Sequence, residues 1–151
     1  MSTKIIRFCN IVMAALVAGT IFGIWIGYNP MDLSAATYIE EQQRTILALN
    51  TLMPILGLIT IILTIISALK RRKEKTAMSI LLLASVCFIV SGLITKFGNQ
   101  PINGIVMTWD MNSIPNNWID LRNQWWFYHK LRTLTAVIGL CLIVWTSMKK
   151  D

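Results

Sequence analysis

The stretch from Trp118 to Met148 reads WIDLRNQWWFYHKLRTLTAVIGLCLIVWTSM, and it decides the fold of this chain. Its second half, Thr133–Met148, is an uncharged run of 16 residues. At about 1.5 Å rise per residue, such a helix covers roughly 24 Å, less than the roughly 30 Å of a hydrocarbon core. The helix must therefore begin upstream, and counting back about 20 residues from the end of the run lands on His129. We expect His129 and Arg132 at the outer edge of a bilayer, where ionisable side chains are costly and usually functional.

The rest of the chain has the composition of a membrane protein. Of its 151 residues, 55% are hydrophobic and 14% are charged, whereas soluble domains carry about 25% charged residues. Three more uncharged runs are long enough to span a membrane unaided: Phe8–Met31, Thr45–Leu69 and Thr76–Thr95. The sequence predicts one all-α integral membrane domain over residues 1–151, a four-helix transmembrane bundle. Its spans are expected at about 8–28, 45–69, 76–95 and 126–148, with an outer polar and aromatic stretch at 97–132.

The basic residues indicate an orientation. The formal net charge is +7, and five of the 14 basic residues lie at 70–75, between spans two and three. Lys4 and Arg7 precede span one, while Lys149 and Lys150 follow span four. The positive-inside rule makes that side cytoplasmic, with both termini inside. We therefore expect a multi-pass protein of the bacterial inner membrane, with the lipid bilayer as its surroundings and no nucleic-acid partner.

Several features of the chain have mainly structural interpretations. Gly19, Gly23 and Gly27 share one helical face and predict close helix approach. The cysteines lack a Cys-x-x-Cys pair and are interpreted as apolar filler. One helix is predicted to begin near residue 38 and to run past Asn50 to a kink at Pro54. Breaks in the helical structure are predicted at 97–104 and 112–115. Asn50 is either a link between helices or a polar wall of an outward-facing pocket.

Polar and aromatic side chains at the start of the last helix repeat every three or four residues, which keeps them on one face. The row consists of Trp118, Arg122, Trp125 (or Trp126), His129 and Arg132 (or Thr133). Cationic side chains inside a membrane turn toward the bundle and seek carboxylates or carbonyls. We expect Glu40 or Glu41, just ahead of span two, to approach Arg132 or His129. The alternative is an ordinary interface belt with snorkelling cations.

Metal binding is a weaker interpretation of the same row. The only histidine of the chain has no partner at a metal-ligand spacing such as His-Glu-x-x-His. No cofactor is therefore expected, although haem held by His129 alone stays open. Histidine is also the side chain that exchanges protons near neutral pH without special tuning.

The second half of the chain resembles the anthrone-oxygenase-like family of small four-span membrane proteins, also labelled a domain of unknown function. The likeness is carried by Asn99-Gln-Pro101-Ile-Asn103 and by the row from Trp118 to Thr133. Fungal members are linked to oxidation of anthrones to anthraquinones without an obvious cofactor. Most bacterial members have no assigned reaction, and this chain resembles those.

Two main hypotheses follow. The first is an oxygenase acting on a hydrophobic substrate in an outward-facing pocket, with His129 as general base and Arg122 and Arg132 stabilising the anion. The expected substrate-binding residues are Trp118, Trp125, Trp126, Asn99, Asn103, Glu40, Glu41 and Asn50. The second is a non-catalytic membrane protein that binds a lipid, a quinone or a partner subunit. A small transporter is a third alternative, but the spans lack the paired broken helices typical of transport sites. The substrate and the oligomeric state are not determined by the sequence.

Overall fold

A computed structural model describes residues 3–111 and 113–148 of the chain. The helices are α1 (Thr3–Gly27), α2 (Ala35–Leu49), α3 (Leu52–Lys70), α4 (Lys75–Ile94), α5 (Gln100–Val106) and α6 (Trp118–Met148). A short 3-10 turn covers Pro30–Asp32, and a π-helix covers Thr95–Asn99. Among the described residues the only β pairing is an isolated bridge between Asp110 and Ser113. The predicted all-α class is confirmed.

Four helical segments are long and apolar enough to cross a membrane: Thr3–Asp32, Leu52–Lys70, Lys75–Val106 and Trp118–Met148. This confirms the prediction of four spanning helices. The last one has 31 residues, so it extends over roughly 46 Å and exceeds a hydrocarbon core by several turns. Lys149 and Lys150 lie outside the described residues, and the cytoplasmic placement of the termini stays a prediction.

The four spanning helices pack in a closed ring, in which α6 contacts α1 and α4, and α3 contacts the same two helices from the other side. Small side chains at the centre permit this approach, and Ala14, Ala68, Ala84 and Ala136 are fully buried. Gly139 also lets α4 and α6 approach closely, because a Cβ there would lie 2.8 Å from Phe88 Cε2.

The glycine face of α1 does not pack in this way. A Cβ at Gly19, Gly23 or Gly27 would meet nothing within 4 Å, and all three residues are exposed. The expectation of close helix approach at this face is therefore wrong within the described chain. The bundle turns the other side of α1 inward, where Ala14, Val17, Ala18 and Ile21 are buried.

The helix predicted to run through Asn50 is interrupted. Asn50 is the C-cap of α2, and α3 begins afresh at Leu52. Pro54 thus falls in the first turn of α3, where its missing N–H has no helical partner to lose. The expected proline kink inside one continuous helix is replaced by a break between two helices.

The predicted turn at 97–104 is also helical. The Gln100 N–H bonds to the Thr95 carbonyl, five residues back, and this π-turn leads directly into α5. Pro101 then sits in the first turn of α5, where a proline is tolerated. Sequence reasoning assigned the asparagines and the proline to a turn because those residues favour turns in isolation. Asn112, in the second predicted break, lies outside the described residues.

The loop between α3 and α4 holds one basic residue that does more than signal orientation. Arg71 is buried at 5% exposure, and its Nη1 donates to the Thr146 carbonyl of α6 over 2.7 Å. Its guanidinium also pairs with Glu74 over 2.5 Å. The hydrogen bond to the Thr146 carbonyl connects the loop to the C-terminal end of α6.

Candidate functional site around Arg132

The polar and aromatic row of α6 faces the interior. Arg122, Trp125, Trp126, His129 and Thr133 are all buried. The expectation of one shared inward face holds for these residues, because a helix that packs on α1 and α4 must turn one stripe toward both.

The His129 imidazole is enclosed on every side. Its ring is fully buried and lies nearly parallel to two indoles, with ring centroids 5.0 Å from Trp125 and 5.5 Å from Trp126. Its Nε2 lies 3.0 Å from the Ile21 carbonyl, and its Nδ1 lies 2.9 Å from Arg132 Nη2. A guanidinium can only donate and a carbonyl can only accept. These partners therefore define a neutral imidazole that carries its proton on Nε2 and accepts at Nδ1.

The guanidinium of Arg132 is held at one end by this imidazole and at the other by the π-helix. Its Nε and Nη2 both point at His129 Nδ1, while its Nη1 donates to Thr95 Oγ1 over 3.3 Å. Its backbone carbonyl accepts from Ser91 Oγ over 2.9 Å. Two helices thus fix the guanidinium in one orientation.

A cavity of about 210 Å³ lies beside this guanidinium, between the four spanning helices. Its walls are mainly apolar, and the residues that line it include Val17, Ile21, Met53, Gly57, Ile61, Phe88, Gly92 and Arg132. Lys96 and Gln100 also reach its wall. A second space of about 40 Å³ adjoins it and shares Ile21, Met53, Pro54, Thr95, Gln100 and Arg132 with it. Arg132 therefore faces both spaces at their junction.

A chain of amide and aromatic side chains forms the wall of the smaller space. Trp125 Nε1 donates to Asn103 Oδ1 over 2.8 Å, and Asn103 Nδ2 donates to Asn50 Oδ1 over 3.2 Å. Gln42 Nε2 reaches the same Asn103 oxygen over 3.4 Å, and the Tyr28 hydroxyl donates to Gln42 over 3.3 Å. Asn50 is thus both a link between helices and part of a polar wall, the two interpretations that its sequence left open.

Other residues of the predicted site lie elsewhere. Arg122 stacks over the Trp118 ring at 4.9 Å and bonds Asn123, about three turns away from Arg132 along α6. Asn99 donates to the Trp125 carbonyl over 3.0 Å. None of the described residues Trp118, Arg122, Trp126, His129 and Asn99 lines either space.

The expected pairing of Glu40 or Glu41 with Arg132 or His129 is wrong. Glu40 lies 2.7 Å and Glu41 lies 3.8 Å from the guanidinium of Arg44, on the exposed face of α2. The other face of α2 turns inward and buries Tyr38, Ile39, Gln42 and Ile46 instead. A neutral imidazole and a hydroxyl, rather than a carboxylate, are the partners that the structure gives to Arg132.

Tyr38 is one of the fully buried residues on that inward face. It is fully buried against Trp109 and Trp118, and no described group bonds its hydroxyl. Burial raises the pKa of the Tyr38 phenol well above its ordinary value, and the positive charge of Arg122 opposes this shift in part. The phenol therefore stays neutral across the physiological range.

Sequence reasoning missed Gln42, Thr95 and Gln100. Gln42 had a readable signal, because it follows Tyr38 by four residues and precedes Ile46 by four, on one helical stripe. Thr95 and Gln100 had none, since their placement depends on the π-turn. Within the described part of the chain, no three His, Cys, Asp or Glu side chains gather where a metal ion would bind. Either nitrogen of His129 would have to leave its present partner before it could ligate a haem iron.

Comparison with known proteins gives one match. A family model described as anthrone oxygenase covers residues 43–142, which hold α3 to α5 and most of α6. No curated protein and no solved structure matches the chain.

Proposed function

The chain belongs to the anthrone oxygenase family, and on this premise we propose that it is an integral membrane oxygenase that oxidises a hydrophobic, acidic C–H or phenolic substrate with dioxygen. The observation that supports this best is the placement of Arg132. Its guanidinium is presented to an apolar cavity by a neutral imidazole rather than neutralised by a carboxylate. A cation in an apolar wall that has no counter-ion among the described residues is suited to an anion that develops during a reaction.

The proposed reaction balances without an electron carrier. An activated CH₂ group of an anthrone-type substrate loses one proton, and the carbanion adds dioxygen to give a peroxide anion. Protonation yields a hydroperoxide, which loses water and leaves a C=O group. One oxygen atom of dioxygen enters the product, and the other leaves as water.

Arg132 is the anion-binding residue of this proposal. Deprotonation next to a carbonyl spreads the negative charge onto the carbonyl oxygen, and a guanidinium at that oxygen lowers the cost of ionisation. Arg122 lies ten residues away, so the two cations are separated by about 15 Å along α6 and cannot hold one oxygen together. We assign Arg122 to holding the Trp118 ring at the outer end of the helix.

His129 has two roles in turn. In the resting state it accepts from Arg132 and so aims the guanidinium at the cavity. When a substrate oxygen draws the guanidinium away, the lone pair of Nδ1 becomes free to receive the substrate proton. The base assigned from the sequence is thus kept, but it acts only after Arg132 has turned to the substrate.

Variants of Arg132 test the anion-binding role. In nanodiscs supplied with anthrone, Arg132→Met removes the charge at similar length, and we expect the catalysed rate to fall about 100-fold to 1,000-fold. Arg132→Lys keeps a cation and should retain an intermediate rate. The matched control is Arg44→Met, an exposed arginine paired with Glu40, which should leave the rate unchanged. The measurement is oxygen consumption with anthraquinone absorbance, corrected for spontaneous oxidation in empty nanodiscs. A rate in Arg132→Met equal to that of the natural protein would refute the proposal.

Two variants of His129 separate its roles. His129→Asn places an amide oxygen near Nδ1, so it can still hold Arg132 but cannot act as a base. His129→Ala does neither. If the imidazole is the base, both variants lose activity to a similar degree. Near-normal turnover in His129→Asn would show that the residue only positions Arg132.

A second candidate function is non-catalytic binding of a quinone or lipid, and the apolar walls of the larger cavity favour it. A native mass spectrum with a retained lipid-soluble ligand, and no oxygen consumption with phenolic and anthrone-type substrates, would decide for this function.

A further inference from the structure

We propose that the crevice between α3 and α4 is a lateral portal, through which a substrate with an acidic ring as its head and an apolar chain as its tail reaches Arg132 from within the bilayer. The identity of the head rests on the proposed function. The portal itself rests on the shape of the cavity and on the residues at its edge.

The cavity is a slot rather than a sphere. Met53, Gly57 and Ile61 line it from α3 at successive turns, which is about 12 Å along the helix axis. Phe88 and Gly92 line it from α4 and Thr95 lines it from the π-helix that follows, together over about 10 Å. The slot therefore runs from Arg132, at its outer end, toward the middle of the bundle. An extended apolar chain of a ligand fits this shape.

The slot opens sideways between two glycines. A Cβ at Gly57 or Gly92 would meet nothing within 4 Å, so the space in front of both residues is empty. Leu58 and Lys96 also line the slot and are exposed, Leu58 at 59%. In a bilayer the exposed side chain of Leu58, on a spanning helix, faces lipid chains. An apolar molecule thus has a route from the lipid to the cavity without passing through water.

The two ends of the slot differ in polarity, and this defines its occupant. Arg132, Thr95, Lys96 and Gln100 stand at the outer end, whereas Val17, Ile61 and Phe88 stand at the inner end. No carboxylate among the described residues lines the slot, so an acidic head meets only cations and neutral donors. Its volume of about 210 Å³ is below the roughly 300 Å³ at which sites begin to enclose a drug-sized ligand. A ring at Arg132 with a chain that extends out through the opening fits this volume.

Photolabelling tests the portal without relying on turnover. The probe is a 4-alkylphenol with a diazirine in its chain, added to the protein in nanodiscs, and the adducts are mapped by mass spectrometry. We expect adducts on the peptides that contain Gly57 and Gly92. Adducts spread evenly over the lipid-facing side of α1, around Leu16 and Phe22, would overturn the proposal.

Variants that fill the opening provide the quantitative test. A Cβ at Gly57 or Gly92 meets nothing within 4 Å, so Gly57→Leu and Gly92→Leu extend a side chain into the opening, and each should reduce labelling about tenfold or more, equivalent to about 1.4 kcal/mol of binding. The matched control is Gly23→Leu, which also enters empty space but does not line the slot, and its labelling should stay within about twofold of the natural protein. Thermal unfolding is measured for all three, so that labelling is compared between folded proteins. Equal labelling of folded Gly92→Leu and the natural protein would exclude the portal.

The outcomes distinguish this proposal from the proposed function. Labelling that depends on Gly57 and Gly92, without oxygen consumption on any substrate, keeps the portal and removes the oxygenase. Anthrone oxidation that is unaffected in both glycine variants keeps the oxygenase and removes the portal. Displacement of the probe by anionic phospholipid as readily as by unlabelled alkylphenol would make a lipid headgroup the occupant and overturn the phenolic assignment.

Discussion

At the scale of single residues, the contact between His129 and Arg132 determines what each can do. Two indoles cover the imidazole, the Ile21 carbonyl accepts a hydrogen bond from Nε2, and the Arg132 guanidinium donates one to Nδ1. The basic nitrogen is therefore inaccessible until Arg132 moves, while Arg132 faces the cavity directly. The arginine is the residue that a bound molecule meets first.

Tyr38 gives a test of burial at this scale. Its buried hydroxyl has no partner in the part of the chain that the structure describes, so Tyr38→Phe removes an unsatisfied polar group while keeping the ring. We expect the free energy of unfolding to stay the same or to rise by up to about 2 kcal/mol, measured by thermal unfolding in detergent. The control is Tyr28→Phe, which removes a hydroxyl that donates to Gln42 and should lower stability. A loss of more than about 1 kcal/mol in Tyr38→Phe would show that the hydroxyl has a partner.

The same phenol predicts a dependence on pH. Because burial raises its pKa, the folded state holds Tyr38 neutral at pH values where the unfolded chain ionises. Its contribution to stability is complete below the unfolded pKa of about 10 and is lost as the pH rises from there toward the folded pKa. The natural protein should therefore lose stability relative to Tyr38→Phe above about pH 10. Parallel stability curves for the two proteins between about pH 8 and 11 would contradict this.

At the scale of elements, the π-turn between α4 and α5 organises the site. It allows the helical segment to continue through Pro101, and it places Asn99 and Asn103 one turn apart on the face toward α6. Both amides then bind Trp125, one at its carbonyl and one at its indole nitrogen. The spacing Asn-x-Pro-x-Asn is thus explained by two contacts to a single tryptophan.

Gly98 lies within this π-helix, and because it has no side chain the Tyr128 ring of α6 can pack directly against it. A Cβ at Gly98 would lie 2.7 Å from Tyr128 Cγ, the fixed end of that ring. Gly98→Ala should therefore destabilise the protein by about 1–3 kcal/mol, although alanine normally favours a helix. The matched control is Gly104→Ala in α5, where a Cβ meets nothing within 4 Å and stability should rise by up to about 1 kcal/mol. The free energy of unfolding of both variants is measured by heat or denaturant in detergent. An unchanged stability in Gly98→Ala would mean that the Tyr128 ring moves aside without cost.

At the scale of the whole molecule, the two ends of the bundle differ in composition. One end carries the basic loop at 70–75, which Arg71 fastens to α6. The other end carries α2, α5 and the aromatic start of α6, which together cover the cavity side of the bundle. The positive-inside rule predicts that the basic end faces the cytoplasm, and this prediction places the site in the outer half of the membrane.

Cysteine accessibility tests this orientation. Lys73→Cys and Asn117→Cys are exposed positions at opposite ends, to be introduced after Cys9, Cys87 and Cys141 have been replaced by alanine. In intact cells a membrane-impermeant maleimide should label Asn117→Cys and spare Lys73→Cys, and inverted vesicles should show the reverse. The opposite pattern would place the site on the cytoplasmic side.

The sequence by itself determined the helical class, the four spans and the inward face of α6. These follow from local properties: the length of apolar runs, the spacing of residues along one helix and the number of basic residues between runs. It did not determine the partners of Arg132, the break at Asn50 or the helical course of 97–104. Each of these depends on contacts between residues far apart in the chain, such as Arg132 with Thr95 and Asn103 with Trp125. The packing of α6 against α4 and α5 provides hydrogen-bond partners for backbone and amide groups that would otherwise favour a turn. Only the tertiary structure brings such partners together, and for that reason it alone decided these three features.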